Sequence, residues 1–448
     1  MTEMHITVIG TGYVGLVAGA GLADFGMHVI CVDKDMEKID MLRRGEIPFY
    51  EPGLKELVDR NMANGRLSFS TELAPAVEHS LVIFLGVGTP SDGNGGVDLS
   101  AIKSVALELA SAVNDYKVIV TKSTVPVGTN RWVKAVIDEH KAQPVEVDIV
   151  SNPEFLREGA AVEDFMRPNR VGLGSDSPRA LAIVKDIYRP LYLIETPFVV
   201  TGLETAEIIK YASNAFLATK ISFINEVANL CEKIGADVHD VARAMGLDRR
   251  IGPKFLHPGP GFGGSCFPKD TEAFVKIGRD FGSPVRIVEA VMAVNQSQKE
   301  RMVEKTDAII EGGMSGRKIA VLGLSFKPNT SDIREAPAIF LVERFLKKGA
   351  QVSAYDPAAM DEFRRIFGPD KVSYAADPYA AVEGADAMVL LTEWNEFRNL
   401  DLTRVKELMA SPAVVDLRNV YDPFKMRSIG FRYSCVGRGA AASHQSCL

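Results

Sequence analysis

Cysteine is scarce in this chain, and its pattern rules out more than it offers. Cys31, Cys231, Cys266, Cys435 and Cys447 are odd in number and scattered, without the paired spacing of a metal site. A disulfide framework is therefore excluded, no metal is expected, and the usage is that of a reduced, cytoplasmic protein. Long apolar runs are also missing: none approaches the ~20 residues of a membrane span. The first strand is expected to start by His5, which leaves no room for a secretory leader before it. Nor is there an excess of basic residues. Lys and Arg number 51 against 58 Asp and Glu, a net charge of −7 with no basic tract. That balance argues against nucleic acid or a membrane surface as partner, and any anionic ligand must be met by a local cluster of cations. The remainder is ordinary globular composition, 46% hydrophobic and 24% charged over 448 residues. Such a length holds roughly three domain-sized units.

The N-terminus carries a specific signal. His5–Ile9 is a short buried strand, followed by Gly10-Thr11-Gly12-Tyr13-Val14-Gly15, a helix through about Phe25, and a second strand over Met27–Val32 ending at Asp33. Gly10 makes the tight turn, Gly12 lets a pyrophosphate approach the backbone, and Gly15 permits close helix packing. The helix N-terminus offers unpaired N–H groups to phosphate. Asp33 would bind ribose hydroxyls and repel a 2′-phosphate, favouring NAD over NADP.

Further strands are expected at Leu81–Gly86, Lys117–Lys122 and Val147–Val150, alternating with helices as in a doubly wound parallel sheet. The pattern then changes to one long helix over Glu204–Ile234. Its apolar residues, Ile208, Ile209, Ala212, Phe216, Ile221, Ile224, Val227 and Leu230, lie on most sides and imply burial. A second helical stretch covers Ser283–Ile310, and Gly312-Gly313-Met314-Ser315-Gly316 reads as a linker. A second strand–helix series follows, with strands at Lys318–Leu322, Gln351–Tyr355, Ala387–Leu391 and Ala413–Asp416. The expected fold is thus α/β: two Rossmann-like doubly wound domains joined by a long central helix and a helical middle region, a distant duplication of one plan. The boundaries expected are 1–200, a helical connector and dimerisation region with the cysteine loop over 201–312, 313–436, and a flexible tail 437–448 containing Cys447. Where a second phosphate loop would sit, Gly323-Leu324-Ser325-Phe326-Lys327-Pro328 lacks the three-glycine fingerprint. A nucleotide-linked substrate, met by Lys327 or Arg334, is easier to house there than a second dinucleotide.

The loop Gly259-Pro260-Gly261-Phe262-Gly263-Gly264-Ser265-Cys266-Phe267-Pro268-Lys269-Asp270 holds the chemistry. An alcohol gives a hydride to NAD directly, but oxidising the aldehyde product needs a nucleophile. A thiol that adds to it forms a thiohemiacetal, which can lose a second hydride and become a thioester. Loop N–H groups and a helix starting just after Pro268 would stabilise the thiolate of Cys266. A loop this dense in glycine is costly to order, which favours a ligand close to its backbone. The alternative is a buried structural thiol, the reading given to Cys31, Cys231 and Cys435. Lys210 and Asn214, one turn apart on the long helix, form either a solvated stripe or an oxyanion site. Asp270 is either a proton acceptor or an ordinary acid in a first helical turn. The loops Lys122–Gly128 and Asn152–Gly159 follow strands, where α/β sheets bind ligands.

Together these segments, from about Met4 to Val436, resemble the UDP-glucose/GDP-mannose dehydrogenase family in order and spacing. The resemblance implies NAD as cofactor and four-electron oxidation of a UDP-sugar to the acid. It makes Cys266 the nucleophile, with Lys210, Asn214 and Asp270 handling oxyanion, protons and water, and Thr124 and Glu154 assisting, Glu154 in thioester hydrolysis. Gly10, Gly12, Tyr13, Val14, Gly15, Asp33, Lys38, Thr89, Thr124, Glu158 and Arg334 match cofactor positions. Glu154, Phe155, Leu156, Lys210, Asn214, Phe255, Leu256, Gly263, Lys327 and Arg418 match substrate positions. Arg250 matches an arginine that reaches the neighbouring subunit's site, which implies a homodimer or higher homo-oligomer. Ser265, Phe267, Lys269 and Asp270, with Pro48-Phe49-Tyr50-Glu51-Pro52-Gly53-Leu54, look like the UDP-glucose branch rather than the GDP-mannose or UDP-N-acetylmannosamine branches. His257 stands where some relatives have lysine.

Overall fold

The structure is a computed structural model and describes residues 4–439. The described residues form two compact units, 4–213 with Lys276–Gly282, and Asn214–Val275 with 283–439. The sheet of the first unit contains β1 (His5–Ile9), β2 (His28–Val32), β3 (Leu67–Ser70), β4 (Val82–Leu85), β5 (Lys117–Thr121), β6 (Val147–Ser151), β7 (Val171–Gly174) and β8 (Phe198–Thr201). Their order is β3-β2-β1-β4-β5-β6-β7-β8. The first six run parallel, while β7 meets β6 antiparallel through the Ser151–Gly174 pair. β4 and β5 are buried at every position, as expected of strands covered on both faces. The strand order reverses between β1 and β4, so the loops after these strands flank the crevice where such sheets bind ligands.

The second unit holds β9 (Lys318–Leu322), β10 (Gln351–Tyr355), β11 (Val372–Tyr374), β12 (Ala387–Leu390), β13 (Ala413–Asp416) and β14 (Arg432–Cys435), in the order β11-β10-β9-β12-β13-β14 and parallel throughout. This repeats the permutation of the first six strands, so the duplication read from the sequence is present in the topology. It extends to detail. Gly10 and Gly323, each following the first strand of its sheet, have φ of 96° and 94°. Asp33 follows β2 and accepts from the N–H and hydroxyl of Thr11. Asp356 follows β10 and accepts from the N–H groups of Leu324 and Ser325 and from the Ser325 hydroxyl. Trp394 Nε1 also donates to Asp356, which is only 1% exposed. The carboxylate equivalent to Asp33 is therefore consumed inside the second unit.

Four helices matter for the site: α1 (Tyr13–Asp24), α2 (Leu203–Ile234), α3 (Phe267–Asp280) and α4 (Arg286–Ile309). The chain passes from the first unit to the second within α2. The expectation that α2 is apolar on most sides and therefore buried is corrected. Ala206, Tyr211, Ala215, Ala218, Ile224 and Ala228 are buried, whereas Phe216, Phe223, Leu230 and Ile234 are 65%, 49%, 57% and 66% exposed. The stretch read as a linker is a packed turn: Met314 is buried and its N–H donates to Asp307 Oδ1. The expected flexible tail starts too early at Gly437. Its N–H donates to Glu232, Arg438 pairs with Asp237 at 2.9 Å, and the Gly439 N–H donates to the Ala236 carbonyl. The remainder of that tail, Cys447 included, lies outside the described residues.

Candidate active site

The turn after β1 is built as its sequence predicts, with one glycine standing apart. A Cβ on Gly10 would lie 2.8 Å from the Gly86 carbonyl oxygen, and one on Gly15 1.9 Å from the Gly10 carbonyl oxygen, so packing within the protein demands both glycines. A Cβ on Gly12 would meet no protein atom within 4 Å. Gly12 has φ −71°, a conformation open to any residue, and directly precedes α1. The space in front of it is left for something other than protein. Burial alone would raise the Asp33 pKa, but the Thr11 N–H and hydroxyl, the Asp35 N–H and the nearby Lys38 ammonium bring it below the usual carboxylate value. Lys38 Nζ lies 3.6 Å from Asp33 Oδ2, so these two expected cofactor residues stand together.

At the carboxyl end of the same sheet, Lys210 and Glu154 form a buried ion pair at 2.8 Å, their side chains 4% and 6% exposed. The Leu156 N–H donates to Glu154 Oε2 and fixes the carboxylate. Lys210 Nζ sits 5.5 Å from the centre of the Phe155 ring, against which Arg170 stacks at 3.6 Å. Thr89 donates from its hydroxyl to the Thr124 carbonyl at 2.9 Å, which joins two more of the expected residues. Glu158 is buried in the loop that carries Glu154.

Sequence reasoning gave no role to three neighbours. Glu207, one turn before Lys210 on α2, accepts from the N–H groups of Gly128 and Asn130 and from the Asn130 amide, anchoring the loop of Thr124 to this helix. Arg170 was not singled out at all. Lys122 was noted only as part of a loop; it is buried and donates to Asn152 Oδ1 at 3.2 Å. Burial lowers the Lys122 pKa from an ordinary 10.5 to about 8, Glu154 opposing that shift and Lys210 adding to it. The folded state thus releases this proton at a lower pH than the unfolded chain does, so this lysine makes stability rise with pH between about 8 and 10.5. Chemical denaturation of Lys122→Met across that window should lack this rise; an unchanged pH slope would mean that Lys122 does not titrate there.

In the second unit Cys266 is half-buried, and α3 begins immediately after it at Phe267 rather than beyond Pro268. Asp270, one turn on, is 1% exposed; its Oδ2 accepts from Asn214 at 2.6 Å and its Oδ1 pairs with Lys269 at 2.7 Å. Asn214 and Asp270, distant in sequence, are therefore one hydrogen-bonded pair. The glycines before Cys266 have a different cause from the one expected. A Cβ on Gly263 would lie 2.2 Å from the Glu335 carbonyl oxygen, and one on Gly264 2.7 Å from the Phe326 ring. The close approach that these two require is to the protein itself. Amides clamp the loop: Asn295 accepts from the Phe262 N–H and donates to its carbonyl, while Asn225 and Gln298 hold the two backbone groups of Gly259.

Phe255 takes a left-handed φ of 64° and packs on Phe267, and Leu256 is buried. Arg418 donates to the carbonyls of Leu391 and Phe326, and Lys327 lies over the Phe326 ring. Arg334, expected at the cofactor, belongs to this second unit and forms a two-point pair with Asp332. Arg250 points outward, its side chain 89% exposed, and pairs with Asp248.

Comparison with known proteins accounts for this combination of parts. Residues 4–192, 204–297 and 320–423 match, in turn, the NAD binding, central and UDP binding domains of one family. The chain belongs to the UDP-glucose/GDP-mannose dehydrogenase family. It is 53% identical to the UDP-glucose 6-dehydrogenase of Rhizobium meliloti (strain 1021) over 97% of this chain and 100% of that one. It is 47% identical to UDP-glucose 6-dehydrogenase TuaD of Bacillus subtilis (strain 168), over 97% and 93%. The solved structure of a UDP-glucose dehydrogenase from Pyrobaculum islandicum superposes with a TM-score of 0.91 at 38% identity, covering 98% of each chain.

As a member of this family the protein is an NAD-dependent oxidoreductase. Its residues fit the cofactor: open space before Gly12, the N-terminal N–H groups of α1, and the Asp33 carboxylate at the end of β2. The fit gives a sharp expectation. Gly12→Ala should leave thermal stability nearly unchanged, since no protein atom crowds the new methyl. It should weaken NAD binding about tenfold or more, the scale of an overpacked contact. Calorimetry showing unchanged NAD affinity would mean that the cofactor does not lie against Gly12. Among the described residues no helix is long and apolar enough to cross a membrane.

Proposed function

We propose that this enzyme oxidises UDP-glucose to UDP-glucuronate, consuming two NAD+ and one water, in the reduced environment of the cytoplasm. One observation carries the reading: a half-buried thiol directly precedes a helix whose first turn bears Asp270, hydrogen-bonded to Asn214 on the helix that also carries Lys210. NAD, when bound by Gly10–Gly15, Asp33, Lys38, Thr89 and Glu158, supplies the hydride acceptor for both oxidations. Lys210, Asn214 and Asp270 assist loss of the C6 hydroxyl proton as the first hydride departs, which leaves an aldehyde. The Cys266 sulfur adds to that carbon and forms a thiohemiacetal. Loss of its hydroxyl proton and a second hydride gives a thioester. Water activated near Asp270 and Glu154 attacks the acyl carbon, the C–S bond breaks, and carboxylate and free thiol result.

In this reading residues 1–200 hold the cofactor, 201–312 supply the connecting helices and the cysteine loop, and 313–436 hold the uridine nucleotide. Arg334 contributes to the cofactor side, while Phe155, Leu156, Phe255, Leu256, Gly263, Lys327 and Arg418 contact substrate. The active assembly is at least a homodimer. The exposed apolar row Phe216, Phe223, Leu230 and Ile234 on α2 supports this, because a soluble protein rarely leaves such a row to water. Arg250, whose side chain is exposed, serves the neighbouring site. Phe223→Glu should sediment as a monomer at micromolar concentration; an unchanged dimer would place the interface elsewhere.

The decisive assay counts NADH formed per sugar consumed, with UDP-glucose, GDP-mannose and UDP-N-acetylmannosamine in parallel. Two NADH per UDP-glucose, with little turnover of the others, is the expected result. Two from another sugar would keep the chemistry and overturn the substrate. One NADH with aldehyde accumulating would remove the thiol mechanism.

A further inference from the structure

The segment Pro48–Leu54 holds a buried carboxylate in a specific position. Glu51 is 6% exposed. Its Oε2 accepts from the Gly159 N–H at 2.6 Å and its Oε1 from the Ala161 N–H at 2.7 Å. The Tyr13 hydroxyl also donates to Glu51, and the Gly159 N–H lies 2.9 Å from that hydroxyl oxygen. Phe49 packs on the Tyr13 ring in a tilted arrangement with centroids 5.0 Å apart. Tyr13 is the first residue of α1, the helix that in the reading above meets the cofactor phosphates, while Gly159 closes the loop that carries Glu154 and Glu158.

That loop has no regular secondary structure between Ser151 and the Gly159 turn, so discrete bonds must place it. At its start Asn152 is fixed by its N–H to the Thr121 carbonyl and its side-chain amide to the Gly172 carbonyl. At its end Glu51 takes up the backbone. The Pro48–Leu54 segment is in turn secured by the helix Leu54–Ala63, whose Arg60 and Asn61 hold Asp24 at the end of α1. Charge-assisted bonds from backbone N–H to a buried carboxylate are about twice as strong as neutral ones. They make a rigid strut between the phosphate-facing helix and the loop of Glu154.

We propose that Glu51 is a positioning residue for the oxidation: it ties the Gly159 turn to Tyr13 and thereby fixes Glu154 and Glu158 relative to the cofactor loop. The inference rests on the reading above, in which Glu154 serves thioester hydrolysis. A displacement of about 1 Å at such a group costs on the order of a hundredfold in rate.

The test compares full-length Glu51→Ala, Glu51→Gln and Tyr13→Phe with Glu154→Gln as reference. Steady-state kinetics and intact-protein mass spectrometry after an acid quench are the measurements. Glu51→Ala should lower kcat about 10- to 100-fold, with any rise in KM for NAD, through Glu158 and Tyr13, smaller than the loss in kcat. In turnover a larger fraction of its chains should carry covalently bound sugar nucleotide than in the unaltered enzyme, as for Glu154→Gln. Glu51→Gln keeps one acceptor oxygen and should recover part of the rate. Tyr13→Phe, which keeps the carboxylate and removes its phenol partner, should lose less than Glu51→Ala. Should the alanine variant fail to fold, the other two carry the comparison. An unchanged kcat, a loss expressed only as a raised KM for NAD, or no covalent adduct where Glu154→Gln shows one would each overturn the proposal. If Glu154→Gln itself accumulates no adduct, the hydrolytic role of Glu154 falls, and Glu51 is then judged on its kcat and KM effects alone.

Discussion

Cys266→Ser is expected to abolish conversion of UDP-glucose to the acid, by more than about a thousandfold, while NAD still binds with nearly native affinity. A serine hydroxyl at the start of α3 has no comparable anion at neutral pH, so addition to the aldehyde fails before the second oxidation. None of the other described cysteines can substitute. Burial pushes the Cys31 thiol up to about 12, and burial reinforced by the charge of Asp416 does the same to Cys435. Cys231 is raised as well, chiefly by burial, and all three are packed in the interior. Cys266 differs in being half-exposed at a helix start, so iodoacetamide should modify it first and UDP-glucose should slow that modification. Full acid production by the serine variant would eliminate the covalent route; water would then have to add to the aldehyde itself, and the resulting hydrate would give up the second hydride directly.

How much of this was legible in the sequence depended on whether the signal was local. The Gly10–Gly15 turn and Asp33 lie within one strand–helix–strand unit, so their spacing fixes their geometry, and the structure joins Thr11 to Asp33 accordingly. Strands such as β4 and β5 were visible because burial on both faces demands continuous apolar runs. β3, β7, β8, β11 and β14 were not seen: they are short, and β8 exposes two valines at the end of the sheet. A four-residue strand half open to water carries too little pattern to be read.

Among the site residues, Cys266 announced itself through its loop, but the reason given for the glycines was wrong in part. Gly263 and Gly264 are required by the Glu335 backbone and the Phe326 ring, which no local pattern reveals. Lys122, Glu207 and Glu51 owe their roles to partners far along the chain. A buried charge inside an apolar or loop segment was the available hint, because such a group must find a counter-charge or several donors. The region of α2 was expected to connect and to dimerise, but which of its apolar residues face outward was not legible, because an exposed apolar row and a core row have the same composition.

Lys210→Ala should lower kcat about 10²- to 10³-fold, the scale of losing one preorganised charge at a developing oxyanion, with a much smaller change in KM for UDP-glucose. The pair it leaves complicates the reading. Lys210 and Glu154 are bonded at 2.8 Å and almost fully buried, so removing the ammonium strands a carboxylate and costs about 3–5 kcal/mol of stability. A loss of rate could then reflect a disturbed Glu154 loop. The double variant Lys210→Met with Glu154→Gln separates the two effects. Neither residue is charged there, so stability should return toward that of the unaltered enzyme. The double variant's pre-steady-state formation of NADH should stay far slower than that of Glu154→Gln alone, which loses only the hydrolytic step. If the double variant forms NADH before the steady state as fast as Glu154→Gln alone, the lysine serves the fold and not the transition state. An effect of Lys210→Ala confined to KM would instead make it a uniform binding contact, and the oxyanion would need another partner, for which Asn214, one turn along α2 and hydrogen-bonded to Asp270, is the nearest along the helix.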